Sequence, residues 1–178
     1  MKICTFKESA DWCERNGFPT RQIYPVAGPD PFLSEPEFHF ARFAIPEDAG
    51  RRVWLAKLLL SIINPTAELL MQIGDWSVWP SGQHMPLFER FRQSFGDHRP
   101  LIEAPAHVLG AAEKDDSASI LIISVLFLWN CHVLAEGGKE AFFVSHDEYG
   151  WFAARETARL NQIRTALTES GVVLANAS

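Results

Sequence analysis

His146-Asp147-Glu148 is the densest cluster in this chain of groups able to move a proton or hold a cation. A histidine beside acids suits general-base or metal-ligand work. Adjacent residues on a helix diverge, however, and only residues three or four apart share a face. Ser145-x-x-Glu148 also has the spacing of a capping box, in which the serine oxygen and the glutamate each take one free amide at a helix start. Acids in a first helical turn are favoured by the helix dipole as well. The preferred reading is a helix that begins at Ser145, with His146 and Asp147 in its first turn.

His39, His84, His98, His107 and His132 are the remaining histidines, and none stands in the HExxH or H-x-H pattern that sets a metal site by local spacing. His84 and His98 fall in expected loops. His132 falls in an expected strand, where a partly buried, hydrogen-bonded ring is the ordinary outcome. Cys131 lies in the same apolar strand and reads as an inert buried thiol, because a nucleophilic cysteine needs a helix N-terminus or a nearby positive charge. There is no G-x-S-x-G elbow. Arg51, Arg52, Arg90 and Arg92, and the set Arg155, Arg159 and Arg164 beside Glu156, read as solvated faces. These residues point to no catalytic group, no metal and no cofactor.

Asp75-Trp76-Ser77-Val78-Trp79-Pro80 is the stretch best suited to a binding surface. Its tryptophans end an expected strand beside a Pro/Gly loop, where recognition residues sit on a rigid scaffold, and tryptophan is enriched among interface hot spots. In a strict strand Trp76 and Trp79 face opposite sides, so one of them has an equally good reading as core. The candidate partner-binding set is Asp75, Trp76, Trp79, His84, His146 and Asp147.

The elements that must position these residues follow from patterning. The chain has 178 residues, enough for one domain with a real core, and 47% of them are hydrophobic. Thirteen Phe and six Trp make it rich in rings. Thr5-x-x-Glu8 with Gly17 frames a helix near 6–16, and the prolines between 19 and 36 predict an extended strap across the surface. Phe38 to Ile45 alternates as a strand. A helix over about 48–63 presents Leu55, Leu58, Leu59 and Ile62, and Asn64-Pro65 ends it. Leu69 to Trp79 reads as a strand with a bulge or turn at Gly74-Asp75, and Pro86 opens a short helix that stops at Gly96. A brief helix from Asp115 gives way near 120–126 to a strand reaching Ala135, which pairs as a hairpin with Ala141 to Val144. The sum is an α+β single domain: a mainly antiparallel sheet with helices near 48–63 and 146–168 packed on it.

A net charge of −6 disfavours a general nucleic-acid binder and leaves a basic protein as the partner electrostatics would steer in. Three cysteines without C-x-x-C spacing suggest neither disulfides nor zinc. The N-terminus lacks the apolar core of a signal peptide, and the most apolar run, 120–129, falls short of the ~20 residues a membrane span needs, so a soluble cytoplasmic protein is expected.

Phe-Phe-Val-Ser-His-Asp-Glu-Tyr-Gly-Trp-Phe, with Trp129 in the preceding strand, resembles small uncharacterised bacterial proteins of the toxin-immunity type. The resemblance covers about residues 113–152 and implies a non-catalytic cytoplasmic protein that binds a partner; it carries over no catalytic residues. The proline strap and the Trp76–Trp79 region have no counterpart in it. The function expected is a binding or inhibitory module. The alternatives are a small hydrolase or transferase assembled from His146, Asp147, Asp75 and His84, and a homo-oligomer subunit associating through aromatic surface.

Overall fold

The computed structural model describes residues 1–19, 36–63, 68–76 and 83–175. The proline strap expected at 19–36 lies, apart from its two ends, outside the described residues. The fold is α+β. Strands β1 (Lys2–Cys4), β2 (His39–Ala44), β3 (Glu68–Gly74), β4 (Ala106–Gly110), β5 (Asn130–Ala135), β6 (Glu140–Val144) and β7 (Tyr149–Ala154) form one sheet in the order β1-β4-β3-β5-β6-β7-β2. Every pairing between these strands is antiparallel. Helices α1 (Phe6–Arg15), α2 (Ala49–Ile62), α3 (Met85–Gln93), α4 (Lys114–Leu126) and α5 (Thr157–Glu169) cover it.

Helix starts follow local chemistry where a capping side chain is present. Thr5 and Glu8 close the expected capping box, with Glu8 N donating to Thr5 Oγ1 at 3.3 Å and Thr5 N donating to Glu8 Oε2 at 2.9 Å. Asp48 accepts from the Arg51 amide at 2.8 Å to begin α2.

Both faces of the sheet are buried. Leu69, Met71 and Ile73 on β3, Cys131, Val133 and Ala135 on β5, and Phe142 and Val144 on β6 face the main core with Leu55 and Leu59 of α2, Ile120 and Leu121 of α4, and Leu160 and Ile163 of α5. The intervening residues, Leu70, Leu134, Ala141, Phe143 and Trp151, face a second core closed by Trp12 and Cys13 of α1 with Phe18 and Phe38. This two-sided burial explains the apolar runs of β6 and β7, and that of β3, which only the buried Gln72 interrupts. Edge strand β2 keeps the exposed–buried alternation of a strand wet on one side.

That same feature overturns the helix expected from Ser145. Tyr149 to Ala154 pairs with both β6 and β2, so Ser145–Glu148 is a hairpin turn and the terminal helix starts only at Thr157. A short apolar run buried on both faces has no periodicity to separate strand from helix. Gly150 was the available signal, since a glycine weakens a helix. Around 120–126 the helix wins instead: Ile122, Ile123 and Val125 all lie in α4, where burial overrides their strand preference. At the other disputed point β3 ends at Gly74, and Asp75 turns away with φ 47.

The arginines read as solvated are largely structural. Arg159 donates from Nε to Glu140 at 2.8 Å and from Nη2 to the Ile62 carbonyl at 2.6 Å, tying α5 to β6 and to the end of α2. Arg164 donates to the Phe40 carbonyl at 2.8 Å on the edge strand. Arg92 is buried outright, and Arg52 nearly so.

Gly150 tests the sheet. A Cβ there meets the Phe43 ring at 2.4 Å and the Phe143 carbonyl oxygen at 2.6 Å. Gly150→Ala is expected to lower unfolding free energy by about 1–3 kcal/mol, measured by urea denaturation. A change within about 0.5 kcal/mol, the range of neutral surface substitutions, refutes the tight approach of β2 to β7.

Candidate functional site

One end of the sheet gathers the connection leaving β3, the α4–β5 connection, the β6–β7 turn and the β2–α2 connection. Polar groups buried along a strand are costly unless hydrogen-bonded, whereas the strand ends leave side chains within reach of water. Asn130, the first residue of β5, is the hub. Its amide nitrogen donates to the Asp75 carboxylate. Its carbonyl oxygen accepts both the His146 backbone amide at 2.8 Å and the ring Nδ1–H at 2.9 Å. This assignment places the proton of a neutral His146 on Nδ1 and leaves Nε2 directed to Asp147 Oδ1 at 3.3 Å, an ion pair when both ring nitrogens are protonated. The His146 side chain is 18% exposed and that of Asp147 64%.

The turn holding His146 is closed by its own backbone. Ser145 N donates to Tyr149 O at 2.8 Å and Glu148 N to Ser145 O at 3.2 Å. Ser145 Oγ accepts from Asp147 N at 3.1 Å, a serine turn in place of the expected helix cap. Glu148 pairs with Arg52, and its carbonyl takes the Ile45 amide at 2.9 Å, fastening the turn to the β2–α2 connection.

Strain is concentrated here. Among the described residues, the non-glycine residues with left-handed backbone are Asp75 (φ 47), Leu128 (φ 54) and Glu148 (φ 63). Asp75 is bonded to Asn130, Leu128 is two residues before it, and Glu148 closes the turn that Asn130 holds. At Leu128 the left-handed residue ends α4 and lets Trp129 N reach Ser124 O at 2.8 Å. Strained backbone of this kind costs about 1–3 kcal/mol per residue and persists where surrounding contacts over-determine it, commonly at ligand clamps and switch regions.

Of the six residues singled out, Asp75, His146 and Asp147 are therefore brought together. Trp76 follows Asp75 and packs partly buried against the main core, so its core reading holds in part. His84 is exposed but not merely solvated: its ring stacks on Phe127 at 3.8 Å, and Phe127 lies 5.7 Å from Trp129, the residue before Asn130. Trp79 lies outside the described residues. Sequence reasoning missed Asn130, because a lone asparagine carries no pattern, and it missed Tyr149, whose exposure depends on the turn. The available signal was that Trp129-Asn130 opens the strand paired with the Ser-His-Asp-Glu segment.

Cys131, His107 and Arg92 are titratable groups of the interior. Cys131 is fully buried, and burial pushes its thiol up to about 12, as expected of an inert cysteine. His107 is fully buried under α3 against the edge of Phe88, with rings 5.6 Å apart. Among the described residues, neither His107 ring nitrogen makes a hydrogen bond of good geometry, although the Met71 backbone weakly favours the protonated ring. The same is true of Arg92 Nε and Nη1 and of Trp129 Nε1, which make none among the described residues, while Arg92 Nη2 reaches Asp97 at 3.4 Å.

Among the described residues, no group of three or more His, Cys, Asp or Glu side chains could hold a metal, and no helix is long and apolar enough to cross a membrane. An oriented histidine facing a carboxylate could pass a proton. Three clefts lined by described residues are formed without His146, Asp147 or Asp75. No family model, curated protein or solved structure matches the chain.

Asn130→Ala strips partners from the Asp75 carboxylate and from His146, and is expected to lower unfolding free energy by about 1–3 kcal/mol; an unchanged urea midpoint removes Asn130 as the hub. His107 supplies a pH test. Burial first, and neighbouring Arg92 second, push its pKa down to about 3 from 6.5. Between those values the unfolded chain binds a proton that the folded chain refuses, so stability falls as pH drops through that window. The acid limb of His107→Leu should be shallower than that of the unaltered protein, and superimposable limbs contradict a neutral buried ring.

Proposed function

We propose that this protein is a non-catalytic binding module that engages another, more basic protein through the sheet end organised by Asn130. The observation that supports it is the strained, hydrogen-bonded arrangement that presents Asp147 outward beside Tyr149. Asp75, Asp147 and Glu148 lie there with Glu47 and Asp48 of the neighbouring connection. Tyr149 and Trp54 are 38% and 40% exposed, and Trp54 lines a cleft with Glu47 and Asp48. Acids around exposed rings suit a basic surface, with the charges accelerating encounter and the aromatics supplying anchored contact. The resemblance to toxin-immunity proteins agrees with an inhibitory role for such binding, and a cytoplasmic setting goes with it.

Asp147→Lys and Tyr149→Ala change exposed atoms without touching Asn130. A partner captured from the source organism and then purified should bind each variant at least about tenfold more weakly, the scale of an interface hot spot, in calorimetry at matched salt. Association with the unaltered protein should slow as ionic strength rises. Equal affinity of folded variants and unaltered protein moves the interface elsewhere. A self-associated protein in light scattering, disrupted by these same substitutions, makes the surface a homo-oligomer contact instead.

A further inference from the structure

A second site lies away from the Asn130 hub, between residues of α2 and α4 above β3 and β4. The gap between them is a cleft of about 440 Å³, within the size range of small-molecule pockets. Leu60 of α2, Leu69 of β3 and Leu109 of β4 form its apolar lining, and Lys57 and Lys114 stand at its margins. It stays open because the facing helix positions are small: Ser61 on α2, and Ser117 and Ala118 on α4. Both serine hydroxyls donate to their own helices, Ser61 to Leu58 O at 2.7 Å and Ser117 to Glu113 O at 3.1 Å, so neither offers a free proton to a ligand.

The charge pattern selects the ligand. The chain carries a net charge of −6, yet both lysines beside this apolar cleft are exposed and neither makes an ion pair with any described residue. Lys114 is also the first residue of α4, and the carboxylate of its neighbour Glu113 is taken up by the Gly110 amide and the Met1 amino group rather than by either lysine. Asp115 and Asp116 do not line the cleft: its α4 wall is residues 114, 117 and 118, one helical face. We infer that the cleft binds a small amphipathic anion, a free medium-chain aliphatic carboxylate, with its tail against Leu60, Leu69 and Leu109 and its carboxylate between Lys57 and Lys114. The tail would be removed from water on a preformed apolar surface, and the lysines would supply the sign selectivity. This site stands independently of the protein-binding surface.

Decanoate below its micellar concentration is the probe, followed by calorimetry and thermal shift on the full chain. The unaltered protein should bind decanoate and melt at a higher temperature with it. Decylammonium, with the same tail and opposite charge, should bind at least about tenfold more weakly, and so should decanoate to the Lys57→Gln/Lys114→Gln double variant. Ala118→Leu should abolish binding by filling the cleft, with Ser61→Leu on the opposite wall serving if that variant does not fold. The inference is overturned if decanoate fails to bind, if decylammonium or the double Gln variant matches the original affinity, or if a folded cleft-filling variant still binds. Binding to phosphatidylglycerol vesicles without binding of monomeric decanoate overturns it too, in favour of a membrane surface.

Discussion

Burial of the sheet on both faces is the constraint on which the rest of this structure depends. Each central strand sends alternate side chains into two different cores, one under α2 to α5 and one under α1. A one-residue slip in any of them would exchange its two sets of side chains between cores of different shape. Small residues mark where the layers come closest. Gly150 lies beneath the Phe43 ring, and Gly138, with φ +68, lies against the Asn16 carbonyl where α1 meets the β5–β6 turn. Asn16 Oδ1 accepts the Gly137 amide at 2.9 Å at that junction, so the second layer is fastened by backbone polar contacts as well as by Trp12 and Phe18.

The same constraint decides where polar chemistry can reside. Along the buried strands a free donor or acceptor would lack water, and the polar groups that do lie inside are few. Buried Glu140 shows a satisfied solution: the half-buried Arg159 gives it two hydrogen bonds and the end of α2 a third, a fork that lysine could not reproduce. Arg92 and His107 show the costly one, a buried cation and a buried imidazole with nitrogens unpartnered among the described residues. At the sheet end, by contrast, Asn130 divides its amide between a carboxylate and a histidine. Three left-handed residues surround that division, and the exposed Asp147 and Tyr149 project from it. The Asn130 network and the α2–α4 cleft thus arise from opposite circumstances, one from backbone over-determined by hydrogen bonds and one from helices too small-sided to close a gap.

Much of the architecture was legible in local sequence. The Thr5–Glu8 box, the Asp48 start of α2, Pro86 at the head of α3 and the β5–β6 hairpin are all set by contacts between residues close in the chain. The alternation of Phe38 to Ile45 was readable because β2 is an edge strand with one wet side. Illegible were the buried run after the β6–β7 turn and the last turn of an apolar helix rich in β-branched residues. Tyr149 to Ala154 read as helix, and the end of α4 beyond Ile123 as strand, because an apolar run without periodicity takes its conformation from what surrounds it.

The candidate site divides along the same line. Composition and spacing by themselves determined an acidic α+β domain, an inert Cys131, and a short roster of residues worth watching, since these depend on residue type and near neighbours. Only the tertiary structure decided that Asp75, His146 and Asp147 meet, that Asn130 joins them, that Ser145 closes a hairpin turn, that Arg92 is an interior group and that Arg159 ties α5 to β6. The physical reason is that hydrogen bonds between Asp75, Asn130 and His146 span distant parts of the chain. Their geometry exists only once β3, β5 and β6 lie side by side in register.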